Sequence, residues 1–175
     1  MPKVSIIMGV YNCKDYGLLR KSVESILQQT YEDYEFIICN DGSTNDTLEE
    51  LNEIVQLDSR IKVVSNEKNR GLNHALNVCL AASQGKYIAR QDDDDISKPE
   101  RLEKQVKFLD ENPEYAMVGT CADVFDDSGI WGEYRVPEKP RKSDFLWNSP
   151  FMHPTIMMRK KNYYRGGYRE VKETR

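Results

Sequence analysis

Short apolar runs alternate with stretches of helical spacing along most of this chain, and each run stops at a polar cluster. The runs are Val4–Val10 and residues 36–39, 61–64, 87–89 and 115–119. Between them, apolar residues recur every three or four positions: Leu19, Val23, Ile26 and Leu27; Leu48, Leu51, Ile54 and Val55; residues 72–82; and Leu102, Val106 and Leu109. Continuous apolar runs suit parallel strands covered on both faces, and the three-to-four spacing suits amphipathic helices. Strands alternating with helices imply right-handed βαβ units, so the expected class is α/β with a mostly parallel central sheet. Gly85 is expected to close the third helix. Ser97 and Glu100 have capping-box spacing, which predicts a fourth helix with Pro99 in its first turn and Asn112-Pro113 at its end. After Gly119 the pattern changes. Asp126-Asp127-Ser128-Gly129 reads as a turn between two short strands, Pro137, Pro140 and Pro150 punctuate an irregular stretch, and residues 155–158 return as one more strand. The expected division is an α/β part over residues 1–120 and a smaller mixed β region over 121–175.

The 175 residues are 39% hydrophobic and 31% charged, which suits a soluble chain able to bury a core without staples;. A net charge of −4 gives no basic footprint for nucleic acid;. Cys13, Cys39, Cys79 and Cys121 are far apart, so neither a zinc site nor a disulfide framework is expected, and Cys39 and Cys79 read as small core residues;. No apolar run could span a bilayer, and the N-terminal run is too short for a signal peptide. The expected location is cytoplasmic.

In parallel sheets, ligands bind at the carboxyl ends of the strands. Here those ends carry Tyr11-Asn12, Asp41-Gly42-Ser43, Asn69-Arg70-Gly71 and the run Asp92, Asp93, Asp94, Asp95. Two unit charges about 4 Å apart repel by ~1 kcal/mol in water and ~4 kcal/mol at an effective dielectric of about 20. Mg2+ or Mn2+ would relieve that repulsion, with a substrate diphosphate completing the shell. The other reading of the run is a solvated acidic loop, or carboxylates gathered at a helix N-terminus. Asp41 could accept from a ribose or base, or simply make a turn and helix cap. Tyr11 could stack on a base or pack, and Arg70 could meet a phosphate or stay solvated. His153 could wall a site or be a satisfied buried histidine; His74 reads as a surface or core-edge residue. The chain lacks a Ser/His/Asp set, the dinucleotide fingerprint and the P-loop.

Taken in order, Val4–Asn12, Ser22–Tyr31, Asn40–Asp46, Asn69–Leu72, Gly85–Ser97, His153-Pro154-Thr155 and Gly166-Gly167-Tyr168 resemble family-2 glycosyltransferases of the GT-A fold. The resemblance covers essentially the whole chain and implies an inverting, metal-dependent enzyme using a UDP-sugar, or less often another nucleotide diphosphate-sugar. By position it implies that Val10 and Tyr11 line the uracil pocket, that Asp41 binds uracil, and that Arg70 lies near the base and phosphates. Asp92 and Asp94 match the D-x-D acids. Asp92 would face ribose and metal, Asp94 would bind the Mn2+ or Mg2+ that bridges the diphosphate, and Asp95 would lie by the sugar. Asp93 stands where relatives often carry a small residue, which leaves the assignment among these four open by one position.

The resemblance also places the catalytic base in a Glu-Asp pair after the Gly-Gly-Tyr segment. No such pair follows Gly167, so the base is expected beyond Arg175, with Glu170 and Glu173 as nominal substitutes. His153 would sit on the acceptor side. The implied partners are a UDP-sugar and a saccharide or lipid-linked acceptor. Peripheral association with the inner membrane face and homo-oligomerisation through an apolar patch are further expectations. The competing readings are a binding module that transfers nothing and a sugar nucleotidyltransferase. The absence of a Gly-rich basic triphosphate loop counts against the latter.

Overall fold

The computed structural model describes residues 1–146, 149–163 and 167–169. Strand β1 (Val4–Val10) is the pivot of a six-stranded sheet. On one side it pairs in parallel with β2 (Tyr34–Asn40), which pairs in parallel with β3 (Ile61–Ser65). On the other side it pairs in parallel with β4 (Tyr87–Arg90). The chain therefore winds outward from β1 and then returns to its opposite flank. That reversal between β1 and β4 places a topological switch point at the carboxyl edge of the sheet, where ligands bind in folds of this kind;.

The apolar runs are continuous because both faces of the sheet are covered. Even-numbered residues of β1 and β2 (Val4, Ile6, Met8, Val10, Phe36, Ile38) pack beneath α1 (Tyr16–Leu27), α2 (Thr47–Ile54) and α4 (Arg101–Glu111). Odd-numbered residues (Ile7, Ile37, Cys39) pack with Ala75, Leu76 and Cys79 of α3 (Leu72–Ala82). Tyr163 and Tyr168 extend that second face. Both Cys39 and Cys79 are core residues, as their apolar settings predict.

Beyond residue 115 the pattern is less regular. The fifth strand, β5, shrinks to Met117–Val118, because Tyr115 turns aside to pack edge-on against Phe108, ring centroids 5.3 Å apart. β6 (Ala122–Asp126) and β7 (Gly129–Tyr134) form a separate antiparallel hairpin around the expected turn. The last strand, β8 (Met157–Arg159), inserts between β4 and β5 and is antiparallel to both. The fold is thus the expected α/β class with a small antiparallel region.

Two helix boundaries differ from expectation. α4 begins at Arg101 rather than in the Ser97–Glu100 stretch, and Glu100 makes no capping bond. Ser97 faces inward instead: its N–H donates to Ser25 Oγ (3.0 Å) and its hydroxyl to Gln91 Oε1 (2.7 Å). A hydroxyl already engaged in the interior cannot also cap the helix. α3 ends at Ala82 as its spacing predicts, but the residue that caps it is Ser83, not Gly85. Gly85 is buried against β1, where an added Cβ would lie 2.5 Å from Ser5 N.

Asp110, near the end of α4, staples the sheet at its other edge. Its carboxylate accepts from Lys3 Nζ (2.6 Å), Tyr87 OH (2.7 Å) and Lys86 Nζ (3.0 Å). Lys3 first, then Tyr87 and Lys86, hold the carboxyl well below the usual range against the opposing effect of burial. A depressed folded pKa contributes stability in full above the unfolded value of about 3.9, and that contribution is lost as pH falls towards the folded value. Denaturant midpoints should therefore drop below about pH 4, and Asp110→Asn should lower the midpoint near neutrality while flattening that acid limb. An unchanged acid limb in the variant would assign acid sensitivity to other carboxylates.

Candidate functional site

The loops at the carboxyl edge are laced together by side chains that the turns present. After β1, Asn12 adopts φ 46, a left-handed conformation that asparagine tolerates;. Its backbone N–H donates to Ser43 Oγ (2.9 Å), and its side-chain oxygen accepts from Thr44 N (2.8 Å). Cys13 N donates to Thr47 Oγ1 (2.9 Å). The β1 and β2 loops are thereby one unit. Gly42, at φ 65, lets the β2 loop approach the β3 loop so closely that a Cβ would lie 2.5 Å from Lys68 Cα.

Asp41 joins the same two loops. It is 2% exposed. Its Oδ1 accepts from Asn66 Nδ2 (2.7 Å) and Arg70 N (3.2 Å), and its Oδ2 from Arg70 N (3.1 Å) and Gly71 N (2.8 Å). Gly71 sits at φ 87, which a side chain would disfavour;. In this arrangement the Asp41 carboxylate shapes the loop that carries Arg70, and the exposed Arg70 side chain is placed by that loop. Tyr11, directly after β1, is 46% exposed. Val10 is a core side chain, 1% exposed; what it offers the edge is its carbonyl, which accepts from Asp41 N (2.9 Å).

The four aspartates follow β4. Ser22 of α1 donates to Asp92 O (2.8 Å), which seats the run against the helix that follows the β1 loop. The four residues have different environments. Asp92 forks the buried Arg90, with Nε–Oδ1 2.8 Å and Nη2–Oδ2 3.2 Å. Burial raises its pKa while Arg90 pulls it back. Burial, then the charge of Asp94, pushes Asp93 up to about 6. Burial, then Asp92 and Asp94, pushes Asp95 to about 6 against Arg101 and Arg90. Asp94 is exposed. Protein arginines thus compensate part of the run, which the local sequence pattern did not indicate, and among the described residues none forms an ion pair with Asp94 at its tip.

These hard oxygen donors suit Mg2+ or Mn2+. Among the described residues, no three Asp, Glu, His or Cys side chains converge into a ready-made cage. The fit is therefore to a cation that takes one or two protein carboxylates and draws its other oxygens from a bound diphosphate and water. Asp94 is the exposed member of the run, and Asp92 and Asp95 feel its charge.

His153 lies in a 3-10 turn (His153–Thr155) next to β4, and it is exposed rather than buried. Its Nδ1 meets Arg90 Nη1. Its ring also approaches that of Tyr168, centroids 5.5 Å apart. Of the Gly-Gly-Tyr segment, Gly167 and Tyr168 are described; Gly166, Glu170 and Glu173 lie outside the described residues. Arg90 was not among the residues singled out from sequence. Its signal was a charge inside a buried strand two residues before an aspartate, a spacing that lets the two side chains meet.

The family model for glycosyl transferase family 2 matches residues 5–167. The putative glycosyltransferase EpsE of Bacillus subtilis is 46% identical over 176 residues, covering 99% of this chain and 63% of that protein. This chain therefore spans less than two thirds of that relative. Mannosyltransferase PcManGT from Pyrobaculum calidifontis, solved with GDP-Man and Mn2+, superposes at TM-score 0.71 with 19% identity, over 95% of this chain and 47% of that one. S. aureus TarS 1-349, solved with UDP-GlcNAc, superposes at TM-score 0.68 with 23% identity, over 90% and 45%. The structural likenesses establish a shared fold. With a family match over nearly the whole chain added to the loop architecture described above, the chain belongs to glycosyl transferase family 2.

Proposed function

We propose that this chain is the donor-binding core of a glycosyltransferase that moves a sugar from a UDP-sugar to an acceptor hydroxyl, with a divalent cation, in polysaccharide or glycolipid assembly. The observation that carries this reading is the stitching of three strand-end loops at the sheet edge that also carries an acidic run, whose tip is exposed and, among the described residues, without an ion pair. Residues 1–120 hold the donor, and 121–175 begin the acceptor side. Tyr11 stacks on the base, and Asp41 works through the Arg70 loop and any base N–H it meets when that loop adjusts. Arg70 faces the phosphates, Asp92 the ribose side, and Asp94 the cation. Asp93 and Asp95 border the sugar, and His153 faces the acceptor.

In the reaction the acceptor oxygen bonds to the anomeric carbon. The bond from that carbon to the diphosphate breaks, and UDP leaves with the electron pair. The acceptor proton passes to a carboxylate acting as general base. A bound cation supplies Lewis-acid stabilisation of the charge on the departing diphosphate. The solved neighbours hold donors with different bases, GDP-Man and UDP-GlcNAc. The choice of UDP therefore rests on the resemblance of the Tyr11 and Asp41 segments. The same reading carries a saccharide or lipid-linked acceptor and a cytoplasmic location at the inner face of the membrane. No helix among the described residues is long and apolar enough to cross a bilayer.

Calorimetry with UDP, with and without Mn2+, tests the proposal. Wild-type protein should bind UDP more tightly with the metal. Asp41→Ala should weaken binding by about the same factor in both conditions, because it unties the nucleotide-side loop and leaves the acidic run alone. Wild-type affinity that ignores Mn2+ contradicts the reading. Hydrolysis of UDP-sugar by the chain would separate an enzyme from a binding module.

A further inference from the structure

The turn that bears the four aspartates is gripped from behind by one side chain. Gln91, 1% exposed, donates one Nε2 hydrogen to Asp95 O (2.7 Å) and shares the other between Ser22 Oγ (3.1 Å) and Asp92 O (3.3 Å), so it reaches both ends of the run. Ser22 of α1 adds its hydroxyl to Asp92 O (2.8 Å). The other end of the Gln91 amide, Oε1, accepts from Arg101 Nη1 (2.8 Å) and Ser97 Oγ (2.7 Å). Arg101 also donates to Ser97 Oγ (2.7 Å) and to the carbonyl of Arg90 (2.5 Å).

Chemistry fixes the direction of this chain of contacts. A guanidinium has no acceptor, so it must face Oε1 of Gln91. The amide nitrogen then has to point at the two carbonyls of the acidic turn. Without Arg101 the amide could flip, and its oxygen would oppose those carbonyls. Burial lowers the Arg101 guanidinium to about 10, while Asp95 and Asp92 pull it back up. The arginine therefore stays charged near neutrality and compensates the run from inside.

Resting on the donor-binding reading above, we infer that Gln91, oriented by Arg101 and helped by Ser22, is a positioning clamp that holds the acidic turn against its own repulsion and presents Asp94 to the cation and diphosphate. Gln91 and Ser22 are buried, so they act through the backbone of the turn.

Gln91→Glu is the discriminating variant. A glutamate keeps an oxygen for Arg101 and nearly the same volume, but it cannot donate to Asp92 O or Asp95 O. Electrostatics alone would tighten Mn2+ binding, because the variant adds a negative charge near the site. The clamp predicts the opposite. UDP affinity in Mn2+ should fall about tenfold, the effect expected of a residue one step behind a metal ligand. UDP affinity without metal should stay within about twofold, as no nucleotide-side contact changes. Amide hydrogen exchange over residues 92–95 should accelerate. Equal or tighter binding in Mn2+, with exchange unchanged, overturns the clamp. If Gln91→Glu does not fold, Ser22→Ala removes a single hydroxyl from Asp92 O and should weaken Mn2+-dependent UDP binding about threefold. An unaltered affinity in that variant overturns the clamp as well. Failure of the donor-binding reading is separate: it shows in wild-type protein as UDP binding indifferent to Mn2+, whereas hydrogen exchange in Gln91→Glu reports on the clamp in either case.

Discussion

Asp94→Ala is expected to remove the Mn2+-dependent part of UDP binding and to leave the fold intact. Asp94 is the exposed member of the run, whereas Asp92 is forked by Arg90. Residues one step behind a metal ligand cost about 10- to 100-fold in affinity when changed, so a direct ligand should reach at least the upper end of that range, about 2.7 kcal/mol. Stability should not fall, since the change removes one of four repelling charges and no buried contact. Titration calorimetry with UDP and Mn2+, paired with a thermal melt, reads both effects. Asp92→Ala gives the contrast: it strands the buried guanidinium of Arg90, so its melt should drop even if metal binding survives. Full Mn2+-dependent affinity in Asp94→Ala would reassign the metal to a neighbouring carboxylate.

The second large effect is on stability. In Gly85→Ala the new methyl would lie 2.5 Å from Ser5 N and 2.7 Å from Val4 C, both in the backbone of the central strand β1. Neither atom can yield without disturbing two parallel ladders, because β1 pairs on both sides. The shift would also strain the bond from Gly85 N to Ser5 Oγ (2.8 Å), whose hydroxyl donates onward to Glu35 Oε1 (2.7 Å). Overpacking of this kind costs about 3 kcal/mol, and for a domain of this size each kcal/mol lowers the melting temperature by about 2–4 °C. Gly132→Ala is the control, since its nearest neighbour would be 3.9 Å away. It should change stability by no more than about 0.5 kcal/mol. Equal melts for the two variants would show that the sheet absorbs the intrusion at Gly85.

Most of the elements, and the sheet edge on which the polar clusters gather, were legible in the chain. The run Val4–Val10 is a strand over its full predicted length, and the polar clusters after β1, β2, β3 and β4 all lie on the carboxyl edge of the sheet. Local periodicity carries that information, because a strand repeats every two residues and a helix every 3.6. Where local signals misled, a distant partner had taken over a group that the local pattern assigned elsewhere. Ser97 has the spacing of a cap, yet its bonds go to Ser25 and Gln91. Gly85 follows a helix as a terminator would, yet it is small because β1 passes against it.

The amino-acid sequence by itself determined which segments are strands and helices, that the sheet is covered on both faces, and that acids and small residues gather where strands end. Only the tertiary structure decided that β8 slips antiparallel between β4 and β5, that Arg90 and Arg101 compensate the acidic run from within, and that Gln91 grips both ends of it. The reason is physical. Apolar periodicity is written into neighbouring residues, but a buried polar group is satisfied by whichever donor or acceptor folding brings to it. Here that partner can be 70 residues away, as Ser22 is from Asp92;.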